Sequence, residues 1–569
     1  MRPFLLFAFL PFAAAAQTQP QPEQTFSLKP AVDVAAAEEM VIAAHPLAVE
    51  AGLAVLADGG SAADAAIAAQ LVLTLVEPQS SGLGGGAFAL YWEGATGQLK
   101  AYDGRETAPL AAGPDYWLGP DGAPVGWREA VPGGRSVGVP GTPALLQHLH
   151  DRHSNLPRER IAEAAIRLAE DGFSVSPRLA ASVAEGAGDL AGFPEAAGYF
   201  TPDGAPLAEG ATLINPALAE TFRRFADEGA TPFYTGDLAE AVVAATREAP
   251  VNPGLLTMED FAAYEVQTRA PVCHPYRAFE ICGMGPPSSG ALTVGQILMM
   301  LEHHDLGQAP SAAAWRLFAE ASRLAFADRG LYMADSDFVD MPEGLLDPGY
   351  MTARAALISP DMAGEAQPGE PPWKEGALRG PDQSLDRAGT SHIIVRDGDG
   401  DLISMTTTIE TGFGSRLMAN GYLLNNELTD FSLAPEADGA PVANRVEPGK
   451  RPRSSMAPTI AFRDDEPALA LGSPGGSRII GYVAAALVGL IDWGMSPAEA
   501  VSMGHVTAAG GNVDLEEATE AAALEADFKA YGLTPRVRNL NSGLGILSLA
   551  PEGLIGAADP RREGRAQGR

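Results

Sequence analysis

The chain has 569 residues, 46% of them hydrophobic, which is ample for a large buried core, and length alone is compatible with several domains. Its formal net charge is −34, so no basic surface is available to neutralise phosphates and nucleic-acid binding is excluded. The acidic excess otherwise bears only on solubility.

The first residues, MRPFLLFAFLPFAAAAQ, read as a secretory signal over residues 1–16. Arg2 is the charged start, Pro3 to Phe12 the apolar stretch, and Ala14, Ala15 and Ala16 the small-residue cleavage site. The apolar run is too short to span a bilayer, and no later segment reaches spanning length. The expectation is an exported protein, periplasmic or extracellular, with no membrane span. A polar stretch continues to about Glu39. Pro46 to Ala57 then reads as a helix stopped by Gly59 and Gly60, and Ser61 caps a second helix that runs to Val76, with Asp64 at the third position. Ser80 to Gly86 is a glycine-rich loop leading into the strand AFALYW, with LKAYDGRE as its hairpin partner. Helical patterns recur at 159–171, 216–227, 237–247, 292–304 and 311–327. Cys273 and Cys282 flank HPYRAFEI, which could be two short strands or one edge; in an exported chain the even count suggests a structural disulfide. Ala363 to Ala388 is loop-like, and from Thr390 onward strands dominate, with one clear helix after Gly476. No internal repeat is present, and the mixture implies a layered α/β or α+β protein.

The segment from Gly389 to Ser432 carries the strongest chemical signal. A glycine before a threonine at a strand start fits a chain that cuts itself there, leaving Thr390 with a free α-amine that can serve as base for its own hydroxyl. Asp397 to Asp401 form a turn between two apolar-alternating runs. With the turn centred on Asp399, Thr390 faces Thr408, and opposed side chains lie roughly 5 Å apart at Cβ. An ordinary hairpin with threonines chosen for strand propensity gives the same pattern. In LGSPGGSRII, Gly475 and Gly476 at a helix start offer backbone N–H groups to an oxyanion, although a plain turn also fits. Taken alone, Ser454 and Ser455 in RPRSSMAPT read as surface residues, and Arg105 in YDGRETAP as a solvated loop charge that could also fork onto a carboxylate.

Other patterns fail on context. SGLGGGAF leads into a strand rather than a helix, so it is not a dinucleotide loop. DGDGDL has three acids at calcium-loop spacing, but Leu402 and Thr408 stand where Gly and Glu are needed. His148, His150 and His153 do not share one helix face. There is no G-x-S-x-G elbow. No residue named here requires a metal or an organic cofactor.

The ordered set SAADAAIAAQLVLTLVEPQSSGLGGGAF, DGRETAP, SVGVPGTPALL, GPPSSG, LAFADRGLYMADSDFV, GTSH, LLNNELTDFS, KRPRSSMAPTI, GSPGGSRI and AADPR resembles the γ-glutamyltranspeptidases, or glutathione hydrolases, of the N-terminal nucleophile hydrolase superfamily. The resemblance covers nearly all of the mature chain. It implies an α+β fold, a four-layer αββα sandwich built by two intertwined subunits, 17–389 and 390–569, that arise by cleavage between Gly389 and Thr390. It implies Thr390 as nucleophile, Thr408 as the second threonine, and Gly475 and Gly476 as the oxyanion hole. It further implies Arg105, Ser454 and Ser455 on the substrate α-carboxylate, and Glu427 and Asp430 on its α-ammonium. Retention of Asp430 favours glutamyl over glutaryl groups, which would leave that acid without a cationic partner.

Two departures stand out. Glu410 occupies a position where well-known members carry Asn, another ammonium contact. The segment after Phe431, SLAPEADGAPVANRVEPGKRPRSS, is shorter than in members with an active-site lid and lacks the lid tyrosine, which implies an open site with more water access, hence more hydrolysis, and tolerance for bulky γ-glutamyl donors. The competing readings are a related acylase acting on a glutaryl-type β-lactam side chain, and an unprocessed protein that binds γ-glutamyl ligands without turnover.

Overall fold

The computed structural model describes residues 25–358, 365–374, 376–382, 384 and 389–569; the signal segment 1–16 and parts of the loop 363–388 lie outside the described residues. Two seven-stranded antiparallel sheets form the centre. The first runs Arg565–Gly568, Met40–Ala43, Thr390–Arg396, Leu402–Thr408, Gly86–Glu93, Gln98–Gly104, Gln267–Arg269. The second runs Val34–Ala36, Gly553–Ala558, Gly545–Ala550, Glu466–Gly472, Thr459–Arg463, Phe279–Gly283, Val272–Tyr276.

Side-chain parity sorts the layers. In the strand Thr390–Arg396, Ile393 and Val395 join the core shared with the helix Ala62–Val76, whereas Ile394 joins the core between the sheets. That second core also holds Ile460, Leu471 and Ile546 of the other sheet, and Ile297 and Leu298 of the helix Gly290–Leu301 on its far side. Successive side chains point to opposite faces, so Thr390 and His392 share the inner face with Ile394. The result is the expected αββα sandwich. Its central strands are buried on both faces, which is why they lack a clean polar–apolar alternation: Leu402–Thr408 is buried at every position.

Several elements differ from the sequence expectation. Met40–Ala43, between the polar stretch and the first helix and given no element from the sequence, is an inner strand. The helices Thr142–His153 and Pro177–Leu190 are additional. Beyond Gly476 the helix Arg478–Ile491 is joined by two short ones, Pro497–Ser502 and Glu525–Ala530. Cys273 and Cys282 stand opposite each other on paired strands and form the disulfide, so HPYRAFEI is a hairpin. No helix among the described residues is long and apolar enough to cross a membrane.

The glycines of the SGLGGGAF loop are required by close approach rather than by turn geometry. A Cβ on Gly85 would lie 1.8 Å from the carbonyl oxygen of Thr408. Gly85→Ala is therefore expected to cost at least about 3 kcal/mol, the upper range of overpacking penalties, because backbone and not a flexible side chain must yield. Thermal denaturation checks this; a melting temperature unchanged from the parent would contradict the packing described.

Candidate active site

The hairpin register is the one obtained by counting: Thr390 pairs with Thr408, and Arg396 with Leu402. The turn holds because the Asp397 carboxylate accepts from the backbone N–H groups of Asp399 and Asp401, at 3.1 and 2.9 Å, and from Ala62 at 2.7 Å. At the other end, the Thr390 hydroxyl donates to Thr408 Oγ1 at 3.2 Å. Thr408 in turn donates to the carbonyl oxygen of Gly389 at 2.5 Å, and the Glu410 N–H donates to Thr408 Oγ1 at 2.8 Å. The two hydroxyls and the Gly389 carbonyl thus form one directed chain, in which the second hydroxyl polarises the peptide carbonyl directly before the first. Two residues along, His392 contacts Thr406 Oγ1 at 2.9 Å, and burial pushes its imidazole down to about 3, so it is neutral and structural.

Gly475 and Gly476 lie in the turn between the strand Glu466–Gly472 and the helix Arg478–Ile491, just ahead of the helix cap Ser477. Both have positive φ, +140° and +61°. Among the described residues their N–H groups donate to no acceptor, as an oxyanion site requires. The adjoining strand end packs on the nucleophile strand: a Cβ on Gly472 would lie 2.2 Å from the His392 ring.

Arg105 is not a solvated loop charge. It is 1% exposed, and its guanidinium reaches Glu427, Asp430 (2.6 Å), and the carbonyls of Pro452 and Arg453 (3.2 Å each). Burial alone would lower its pKa, but Glu427 and Asp430 outweigh that and raise it. The residues expected to hold the two ends of a zwitterion are therefore joined to one another, as a single buried ion-pair cluster. Ser454 and Ser455 are also buried rather than on the surface. Ser454 Oγ accepts from the Met456 N–H at 3.1 Å, and Ser455 Oγ accepts from Arg329 at 2.8 Å. Glu410 is buried, with φ +78°, and accepts from Asn426 Nδ2 at 2.8 Å. The segment after Phe431 folds into a short hairpin, Glu436–Ala437 with Ala440–Pro441, which Gly380 bridges through Val442. Asp382 is held at 2.8 Å by Arg453, next in sequence to Ser454.

Four contributors were not singled out from the sequence. Ser288 and Ser289, in the GPPSSG motif after a cis Pro286–Pro287 bond, bond Met456 and Ser454 carbonyls and so fix the Ser454 loop. Arg562 donates to the Thr390 carbonyl from 172 residues away, a separation invisible to any local pattern. Glu106 follows Arg105 directly and is fully buried beside Glu427. No sequence signal marked it, because the burial of Arg105 beside it shows only in the fold. His148 and His153 instead pack on Tyr102, and no metal site forms there. The one grouping of potential ligands among the described residues contains the disulfide-bonded Cys273 and Cys282, which supply no thiolate.

Burial first, and the charge of Glu427 second, push the Glu106 carboxyl well above the usual carboxylate range, with Arg105 opposing. Folded Glu106 thus keeps a proton that the unfolded chain releases, and stability falls as pH rises above the unfolded value of about 4.3. Glu106→Gln, a neutral isostere, should remove that loss. Denaturation midpoints of variant and parent should agree near about pH 4 and separate in the variant's favour toward neutrality, where unfolded Glu is ionised. Parallel curves would contradict a protonated Glu106.

The sequence model described as Gamma-glutamyltranspeptidase matches residues 48–569. The chain is 38% identical over 508 residues to the glutathione hydrolase proenzyme of Bacillus subtilis (strain 168), covering 87% of this chain and 84% of that one. It is 35% identical over 537 residues to the acylase ACY 1 proenzyme of Pseudomonas sp. (strain SE83), covering 92% of each. Among solved structures it resembles the cephalosporin acylase from Bacillus halodurans, with a TM-score of 0.82, 26% identity and coverage of 97% of this chain and 98% of that one.

Proposed function

The chain belongs to the γ-glutamyltranspeptidase family and is an enzyme of the glutathione hydrolase type; from that premise we propose that it cuts itself between Gly389 and Thr390 and then uses Thr390 to take γ-glutamyl groups from glutathione and related amides. The observation that carries this is the chain from the Thr390 hydroxyl through Thr408 to the Gly389 carbonyl.

In the precursor, Thr390 Oγ1 attacks the Gly389 carbonyl carbon while Thr408 donates to the carbonyl oxygen. The C–N bond breaks, the Thr390 nitrogen takes up a proton, and an ester to Oγ1 remains. Water hydrolyses the ester, and the products are a fragment ending at Gly389 and one beginning at Thr390. The mature enzyme is then a heterodimer of its own two fragments, 17–389 and 390–569, once the exported chain has lost its signal. In turnover the freed α-amine accepts the Oγ1 proton, and the alkoxide adds to the γ-glutamyl carbonyl. The N–H groups of Gly475 and Gly476 hold the oxyanion. The proton passes to the leaving amine, and water or an acceptor amine resolves the acyl-enzyme.

Arg105, Ser454 and Ser455 take the substrate α-carboxylate, while Glu427, Asp430 and Glu410 take its α-ammonium. The substrate zwitterion enters the ion-pair cluster with its charges aligned to it, so the site remains neutralised on binding. This is also what separates the reading from a glutaryl acylase. A glutaryl group brings a carboxylate and no cation, so it competes with Asp430 and Glu427 for Arg105 and supplies no positive partner in return.

A γ-glutamyl anilide should therefore be hydrolysed far faster than the matching glutaryl anilide. Asp430→Asn should lower kcat/KM for the γ-glutamyl compound by about a hundredfold or more, since one partner of a buried charge contact is typically worth about 3 kcal/mol. Faster turnover of the glutaryl compound by the parent would establish the acylase reading instead. The short segment after Phe431 supports an open site, so hydrolysis should match or exceed transfer to a dipeptide acceptor. Transfer that far outpaces hydrolysis would contradict this.

A further inference from the structure

Arg562 sits one residue beyond the AADPR motif, in the segment that follows the strand Gly553–Ala558, and is 2% exposed. Its Nη1 donates to the backbone carbonyl oxygen of Thr390 at 2.6 Å, and its Nε donates to Asn541 Oδ1 at 3.0 Å. The packing behind it is tight. A Cβ on Gly543 would lie 2.6 Å from Pro474 Cγ and 2.8 Å from Arg562 Cδ. One glycine therefore separates the arginine on the nucleophile from the proline that precedes Gly475. Arg561, its neighbour, is clamped by Glu516 at 2.5 Å and by Asp559 at 3.2 Å, so the backbone that presents Arg562 is itself fixed.

This arrangement has a consequence for the base. A carbonyl and an amine of the same residue are at most a few ångströms apart, so a guanidinium on the Thr390 carbonyl lies close to the α-amine that processing would release. Arginine stays charged at every working pH, and a nearby cation disfavours the protonated form of an amine. We propose that Arg562 is a positioning residue that ties Thr390 to the oxyanion turn and holds its released α-amine in the neutral, proton-accepting form. The inference rests on Thr390 being the nucleophile, as proposed above.

Among the described residues, the other charges around this amine are paired or neutral; behind Ser391, which bonds Ser81, Arg178 pairs with Glu77 and its N–H donates to Glu563. On its own strand His392 is neutral. Beyond the Thr408 strand, Glu410 is turned to Asn426. Glu106, Glu427 and Asp430 belong to the Arg105 cluster. From the elements packed on the strand, Asp64 and Glu466 lie at the Asp397 end: Asp397 caps the helix start at Ala62, and Glu466 is at the opposite end of its strand from Gly472. Arg478, in the helix after the oxyanion turn, pairs with Asp514. Among the described residues, Arg562 is thus the cation hydrogen-bonded to Thr390 itself.

The test is the pH dependence of kcat/KM for a γ-glutamyl anilide in the parent, Arg562→Gln and Arg562→Lys. An unperturbed α-amine titrates at about 7.7–8.0, and a base must be neutral to act. With the cation removed, the acid limb of the profile should move up by about one pH unit, so that the Gln variant is about tenfold slower than the parent on the acid side and nearly recovers at alkaline pH. Arg562→Lys, which keeps the charge, should keep the parent's acid limb. If the Gln chain fails to cut itself, the profile is read on the two fragments co-expressed as separate chains, with Thr390 first in the second. A Gln variant whose loss is the same at every pH, with the acid limb in place, would overturn the proposal and leave Arg562 a purely structural anchor. An inactive parent would instead overturn the γ-glutamyl reading on which the inference rests.

Discussion

Thr390 and Thr408 face each other because two seven-residue strands and a turn pinned by the Asp397 carboxylate allow no other register. That constraint orders the rest of the molecule. A slip of one residue would turn Thr390 away from the space between the sheets and onto the helix face. The neighbours that prevent the slip are apolar and buried on both sides, Ile393 and Val395 against one layer and Ile394 against the other. Stability and chemistry are therefore set by the same pairing: the sandwich holds the hairpin, and the hairpin delivers two hydroxyls and a peptide carbonyl to one point.

The second organising feature is buried positive charge in a strongly acidic chain. Arg105, Arg329, Arg453 and Arg562 are each at most 2% exposed and converge on the loops that carry Asp430, Ser455, Asp382 and the Thr390 carbonyl. Removing ions from water is costly, and their pairing seldom does more than offset that cost, so such clusters are weak evidence of stability. Their value lies in fixed geometry. Arginine's planar fork sets several acceptors at once, and here it positions the groups proposed to hold a zwitterionic ligand. The proton inventory matters as much as the charge: burial and Glu427 push the Glu106 carboxyl well above the usual carboxylate range, which limits how much negative charge the cluster accumulates.

The parts legible in the sequence were those with local signatures. The hairpin followed from the turn acids and the spacing of threonines, the first two long helices from their stop and cap residues, and the disulfide from the even cysteine count. The ordered motifs brought the αββα architecture with them and named the candidate site residues. What could not be read was burial set by distant partners. Arg105, Ser454 and Ser455 look like surface residues until loops far apart in sequence close over them. Met40–Ala43 becomes an inner strand only because Thr390–Arg396 and the C-terminal Arg565–Gly568 flank it. Arg562 and Glu106 act across tertiary contacts that no periodicity encodes.

The account stands on Thr390 becoming an N-terminal nucleophile, and intact mass measured under denaturing conditions tests that most directly. The purified protein should give two fragments, the second beginning at Thr390, while Thr390→Ala gives one uncut chain. A single uncut chain from the unaltered protein would contradict the account, because the amine proposed as base would never be released.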